Sequence, residues 1–87
     1  MQNVTIYTKN YCPYCVKAKS LLKRKGVSEF SEIDITNDEK LQQEMIEKSG
    51  GRRSVPQIFI GEKSIGGCDD LYALENAGKL DAMLSTN

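Results

Sequence analysis

Short β-branched or aromatic runs alternate along this chain with longer stretches whose apolar residues recur three and four apart. Val4 to Thr8 is the first short run and predicts a strand, and Asn10 to Tyr14 follows with turn residues and a proline. Pro13 suits the first position of a helix, Cys15, Ala18 and Leu22 fall on one face, and Val16 and Leu21 widen it. Lys23, Arg24 and Lys25 suit the negative end of the helix dipole, and Gly26 suits a left-handed close, so the helix is expected from about Pro13 to Lys25.

The second half repeats the strand and helix vocabulary once and then departs from it. Glu29 to Asp34, with Phe30 and Ile33, predicts a second strand. Thr36 followed by Glu39 matches a capping box, and Leu41, Met45 and Ile46 give the next helix its stripe until Gly50-Gly51 stops it. Gln57 to Ile60 and Lys63 to Ile65, separated by Gly61-Glu62, predict a hairpin. Past Gly66-Gly67, Asp69 or Asp70 is the expected cap of a helix carrying Leu71, Leu74 and Ala77, with Leu80 and Leu84 continuing the spacing beyond Gly78. The strand-helix-strand start requires a right-handed crossover between parallel strands, and the hairpin must add antiparallel strands on the free side of the first. The expected α/β architecture is a four-stranded mixed sheet covered by helices.

Composition narrows the class. At 87 residues the chain is expected to form one domain over 1–87, and 39% hydrophobic with 28% charged residues is ordinary globular usage. Twelve basic and 12 acidic residues give a formal net charge of +0, so no global field draws the chain to nucleic acid or an acidic membrane. No basic stretch leads into an apolar run near Met1, and nowhere do about 18 apolar residues occur in succession. Three cysteines, two of them three positions apart, fit a working thiol pair in a reducing cytoplasm better than a secreted scaffold.

Cys12-Pro13-Tyr14-Cys15 stands where a strand gives way to a helix. The first sulfur then meets unpaired amide donors and the positive dipole end, an environment that lowers a thiol pKa from about 8.5 to roughly 3.5–7.5 and supplies the attacking thiolate. Cys15 lies one turn inside on the apolar side, so Cys12 is the expected nucleophile and Cys15 its resolving partner. The same motif begins many zinc sites, but with no histidine and only Cys68 besides, a closed four-ligand site is short of donors. Ser54-Val55-Pro56 precedes the third strand and admits two readings: an ordinary trans boundary, or a cis bond that presents the Val55 backbone beside Cys12. Gly66-Gly67-Cys68-Asp69-Asp70 opens onto a helix and offers backbone amides to a carboxylate, with Asp69 open to capping or ligand contact and Cys68 to being a buried apolar filler.

Cys12 to Cys15, Ser54 to Pro56 and Gly66 to Asp70, in this order and spacing, closely resemble the glutaredoxins, specifically small dithiol bacterial members, over nearly the whole chain. The resemblance implies a thioredoxin-like fold with sheet order 2-1-3-4 and glutathione as reducing co-substrate, with no bound cofactor and no metal. It implies further that Lys9, helped by Arg52, pairs with the glycine carboxylate of glutathione and that Tyr14 packs along the tripeptide. Val55, before Pro56, would bond the cysteinyl backbone, and the Gly67-Cys68-Asp69 segment would hold the γ-glutamyl end. Implied partners are disulfide-containing or glutathionylated proteins, with ribonucleotide reductase as one candidate, met by a monomer without nucleic-acid or membrane partners. A cluster-holding module and a carrier fed by thioredoxin reductase are the rivals; Pro13 and Tyr14 speak against the first and Gly67 to Asp69 against the second.

Overall fold

The computed structural model describes residues 2–85. The elements run β1 (Val4–Thr8), α1 (Pro13–Arg24), β2 (Ser31–Asp34), α2 (Glu39–Lys48), β3 (Gln57–Ile60), β4 (Lys63–Gly66), α3 (Cys68–Asn76) and α4 (Leu80–Ser85). The sheet order is β2-β1-β3-β4, with β1 parallel to β2 and antiparallel to β3, and with β3 antiparallel to β4. This is the mixed sheet and the order expected from the sequence.

Strand alternation divides the core into two layers. Val4 and Ile6 of β1 and Ile58 and Ile60 of β3 pack with Ala18, Leu21 and Leu22 of α1, Leu71 of α3, and Leu80 and Leu84 of α4. Tyr7 and Phe59 face the other way and meet Ile35 and Met45, with Leu41 and Ile46 of α2 packed against them. The two rings touch edge to face at 5.6 Å. Two helical layers therefore clamp β1 and β3, and the loop between β1 and α1 emerges from the most buried strand pair.

Local chemistry sets most boundaries where expected, and the exceptions have identifiable causes. Helix α1 stops at Arg24 with Lys25 as its cap, and Gly26, at φ 89°, closes it through Gly26 N to Lys23 O at 3.1 Å and Val27 N to Leu22 O at 3.0 Å. The capping box expected at Thr36 and Glu39 does not form. Asp38 caps α2 instead, accepting from the Leu41 N–H at 3.0 Å, while the Thr36 hydroxyl is taken by the Asn10 N–H at 2.9 Å. Strand β2 begins at Ser31 rather than Glu29, because pairing with β1 starts at Thr5 opposite Ser31. The last helix is two helices: the apolar spacing holds, but the chain turns at Ala77–Gly78, closed by Lys79 N to Leu74 O at 2.9 Å.

The cap of α3 is also displaced from expectation. Gly67 is the N-cap, and the Asp70 carboxylate reaches back to accept from the Gly67 N–H at 2.9 Å, so neither Asp69 nor Asp70 occupies the cap position itself.

Candidate active site

Cys12 is the N-cap of α1 and Cys15 lies one turn inside, so the two sulfurs are brought together by three residues of helical geometry. They are joined as a disulfide, with Cα atoms 5.1 Å apart. Cys12 is half-buried, whereas Cys15 is only 2% exposed among the α1 core residues. Cys12 Sγ accepts from the Cys15 N–H at 3.1 Å, the bond a serine or aspartate cap would otherwise make. On reduction that amide and the helix dipole remain aimed at the sulfur, which is where a thiolate is stabilised.

The approach to this cap is held from three sides. Thr8 is buried at the end of β1; its hydroxyl donates to Glu32 at 3.0 Å, and its carbonyl accepts from Ile35 at 2.8 Å. Asn10 is tied to Thr36 on the β2–α2 connection, and Tyr11 turns the chain at φ 53° into the helix. Tyr11, Tyr14 and Val16 are 99%, 60% and 62% exposed, so large apolar groups that elsewhere are buried stand in solvent on either side of Cys12.

A shallow cavity of about 220 Å³ lies against the motif. Tyr14 forms one wall, Arg52, Ser54, Val55 and Pro56 the next, and Gly67 to Asp70 the third. The Val55–Pro56 bond is cis, the second of the two alternatives the sequence left open. Seven of the eight residues expected around a ligand are brought together here; Lys9 stands apart, exposed and outside the lining. Arg52 lies at the Gly67 end, where its guanidinium meets the Asp70 carboxylate at 3.1 Å. Asp69 is exposed on the rim and free of capping duty. Cys68 is 5% exposed, and burial pushes its thiol above the usual range, with Lys17 opposing and Asp69 adding to the effect.

Sequence reasoning did not single out Asp70 as the residue that organises the third wall, nor Gln57, which is fully buried behind Ser54. The signal for Gln57 was present: an amide stands directly after Pro56 in a run otherwise apolar to Ile60.

The glutaredoxin family model matches residues 4–65. A glutaredoxin of Pseudomonas aeruginosa is 56% identical over 85 residues, covering 98% of this chain and 99% of that protein. Glutaredoxin 3 of Escherichia coli (strain K12) is 57% identical over 84 residues, covering 97% and 99%. Among solved structures, a glutaredoxin from Brucella melitensis gives a TM-score of 0.84 at 58% identity, covering 99% of this chain and 91% of that one. A buckwheat glutaredoxin–glutathione complex gives 0.84 at 32% identity, covering 97% and 77%. These neighbours share the thioredoxin-like arrangement described above. With a cysteine pair joined at the amino terminus of α1, a cis proline lining one cavity with Tyr14 of that motif and relatives alike along their full length, the chain belongs to the glutaredoxin family of thiol-disulfide oxidoreductases.

Proposed function

We propose that this protein uses glutathione to reduce protein disulfides and protein–glutathione mixed disulfides through Cys12 and Cys15. The observation that carries the reading is that the Cys12–Cys15 motif, whose first sulfur is the cap of α1, contributes Tyr14 to a cavity whose other walls offer a backbone edge at Val55 and amides at the start of α3. A short peptide with a central cysteine and an anionic end fits that combination. The structural neighbour described as a glutathione complex supports the choice of peptide.

In the reaction, the Cys12 thiolate attacks the glutathione sulfur of a mixed disulfide. The new bond joins Cys12 to glutathione, the old S–S bond breaks, and the protein leaves as a thiolate that takes a proton from solvent. A second glutathione thiolate attacks the glutathione sulfur on Cys12, releasing oxidised glutathione and the Cys12 thiolate. For a disulfide within a protein, Cys12 forms the mixed disulfide with the substrate and Cys15 displaces it, leaving the Cys12–Cys15 bond, which two glutathiones reduce in turn.

In this reading Tyr14 packs along the tripeptide, Val55 pairs with the cysteinyl backbone and Pro56 shapes that edge. Gly67, Cys68 and Asp69 take the γ-glutamyl end, with Arg52 beside them, and Lys9 reaches the glycine carboxylate from outside the cavity. The whole 87-residue chain acts as a single monomeric domain in a reducing cytoplasm, with disulfide-containing or glutathionylated proteins as its partners. No helix among the described residues is long and apolar enough to cross a membrane.

The test is turnover of a small glutathione mixed disulfide coupled to glutathione reductase and NADPH. Wild type and Cys15→Ser should turn over while Cys12→Ser is inactive. An inactive wild type removes glutathione from the account.

A further inference from the structure

Gln57 opens β3 directly after the cis proline, is 0% exposed, and lies opposite Tyr7 in the β1–β3 ladder. Its Oε1 is a buried side-chain polar atom that has no hydrogen-bond partner among the described residues. A buried amide with an unpaired acceptor is unfavourable, and a methionine or leucine of similar volume would fill the same space beside Tyr7 and Phe59 without that penalty. Core stability does not account for a glutamine here.

The other end of the amide does. Nε2 donates to the Ser54 carbonyl at 2.9 Å and stands 3.4 Å from the Ser54 hydroxyl. The Ser54 carbonyl and the Val55 N–H belong to one planar peptide unit and point opposite ways across it, because the cis bond of this segment is the next one along. A donor that holds the Ser54 oxygen toward the buried interior therefore turns the Val55 N–H outward, where Val55 lines the cavity. Among the described residues, nothing in the chain accepts from that N–H.

We infer that Gln57 is a positioning residue, which fixes the Ser54–Val55 peptide so that the Val55 N–H faces the cysteinyl backbone of the bound peptide. The inference rests on the glutathione reading above. Gln57 touches no substrate, being sealed behind the loop, and acts through Val55 alone.

The experiment measures KM and kcat for a glutathione mixed disulfide, together with the pH profile of Cys12 alkylation by iodoacetamide, which needs no peptide backbone. Gln57→Met should raise KM about tenfold, the effect of losing one aligned hydrogen bond, with kcat and the alkylation profile unchanged. Gln57→Glu supplies a conservative rescue. Protonated, its carboxyl can still donate to Ser54, and ionised it repels that carbonyl, so its KM should approach the wild-type value in acid and worsen as pH rises, beyond any trend in wild type. A Gln57→Met enzyme with wild-type KM, or one whose alkylation slows by the same factor as turnover, overturns the assignment, as does a Gln57→Glu enzyme with the wild-type pH trend. A wild type inactive on the mixed disulfide overturns the glutathione reading instead.

Discussion

Replacing Gly66 by alanine measures how tightly the wall of the cavity opposite Tyr14 is built. Gly66 ends β4 at φ 110°, a backbone region that side chains rarely adopt. A Cβ there would collide with the Asp70 carboxylate and come within 2.6 Å of Arg52 Nη1. Neither group is idle: Asp70 Oδ2 accepts from the Gly67 N–H at 2.9 Å and pairs with Arg52 at 3.1 Å. The backbone change alone costs about 1–3 kcal/mol. Moving Asp70 aside removes a charge-assisted bond worth about 1.5–3 kcal/mol. The Arg52–Asp70 pair, exposed on both sides, adds at most about 1 kcal/mol.

Gly51 provides the control. Its φ is 102°, yet nothing stands within 4 Å of where its Cβ would be, so Gly51→Ala carries the backbone part alone. Gly66→Ala should therefore be less stable than Gly51→Ala by about 1.5–4 kcal/mol, the sum of the bond and the ion pair. Urea unfolding of both variants and wild type, all under reducing conditions, gives the comparison, provided the three share one m-value. If the two variants agree within about 0.5 kcal/mol, Asp70 and Arg52 swing away freely, and the third wall is not the braced structure that these distances describe.

Three further outcomes follow from the same geometry. Asp38→Ala should cost about 1 kcal/mol of unfolding free energy at neutral pH by removing the α2 cap, while Glu39→Ala, in place of the box that does not form, should cost less; equal losses would restore the capping box. Lys25 joins the end of α1 to Asp81 at 2.9 Å and Glu75 at 3.0 Å, and these bonds hold its ammonium above the ordinary lysine range. That stabilisation is complete below the unfolded value and is lost as pH climbs through the folded one, so wild type should lose more stability than Lys25→Met between pH 9 and about 12; parallel curves would show the clasp to be inert. In the reduced protein at pH 8, iodoacetamide should label Cys12 well before Cys68, whose burial raises its pKa, and mass spectrometry of the digested protein would expose the opposite order.

What could be read in the sequence was whatever neighbouring residues decide among themselves. Helix α1 carries its own start at Pro13 and its own stop at Gly26, so its bounds were legible to one residue. The thiol pair needed only helical spacing, and the hairpin only its Gly61-Glu62 turn. Failures began where a side chain had two possible employers. Thr36 and Asp38 are both good caps two positions apart, and the choice falls to Asp38 because the Thr36 hydroxyl is claimed by Asn10, which is 26 positions away. Asp69 and Asp70 posed the same question, and Arg52, from the connection after α2, pairs with Asp70, the residue whose carboxylate also reaches back to the Gly67 N–H.

The same distinction explains why the residues that line the cavity could be grouped from the sequence while the support behind them could not. Tyr14, Val55, Pro56 and Gly67 to Asp69 belong to motifs with local form, and the fold merely gathers them. Gln57 works through a carbonyl three residues back, across the Val55–Pro56 segment and from the start of a strand that is placed by its pairing with β1. From sequence it is a polar residue at an apolar position, a signal that marks Gln57 without saying what its amide holds. Its buried, half-satisfied amide becomes meaningful once the direction of the Val55 N–H is known, and that direction is a property of the assembled loop.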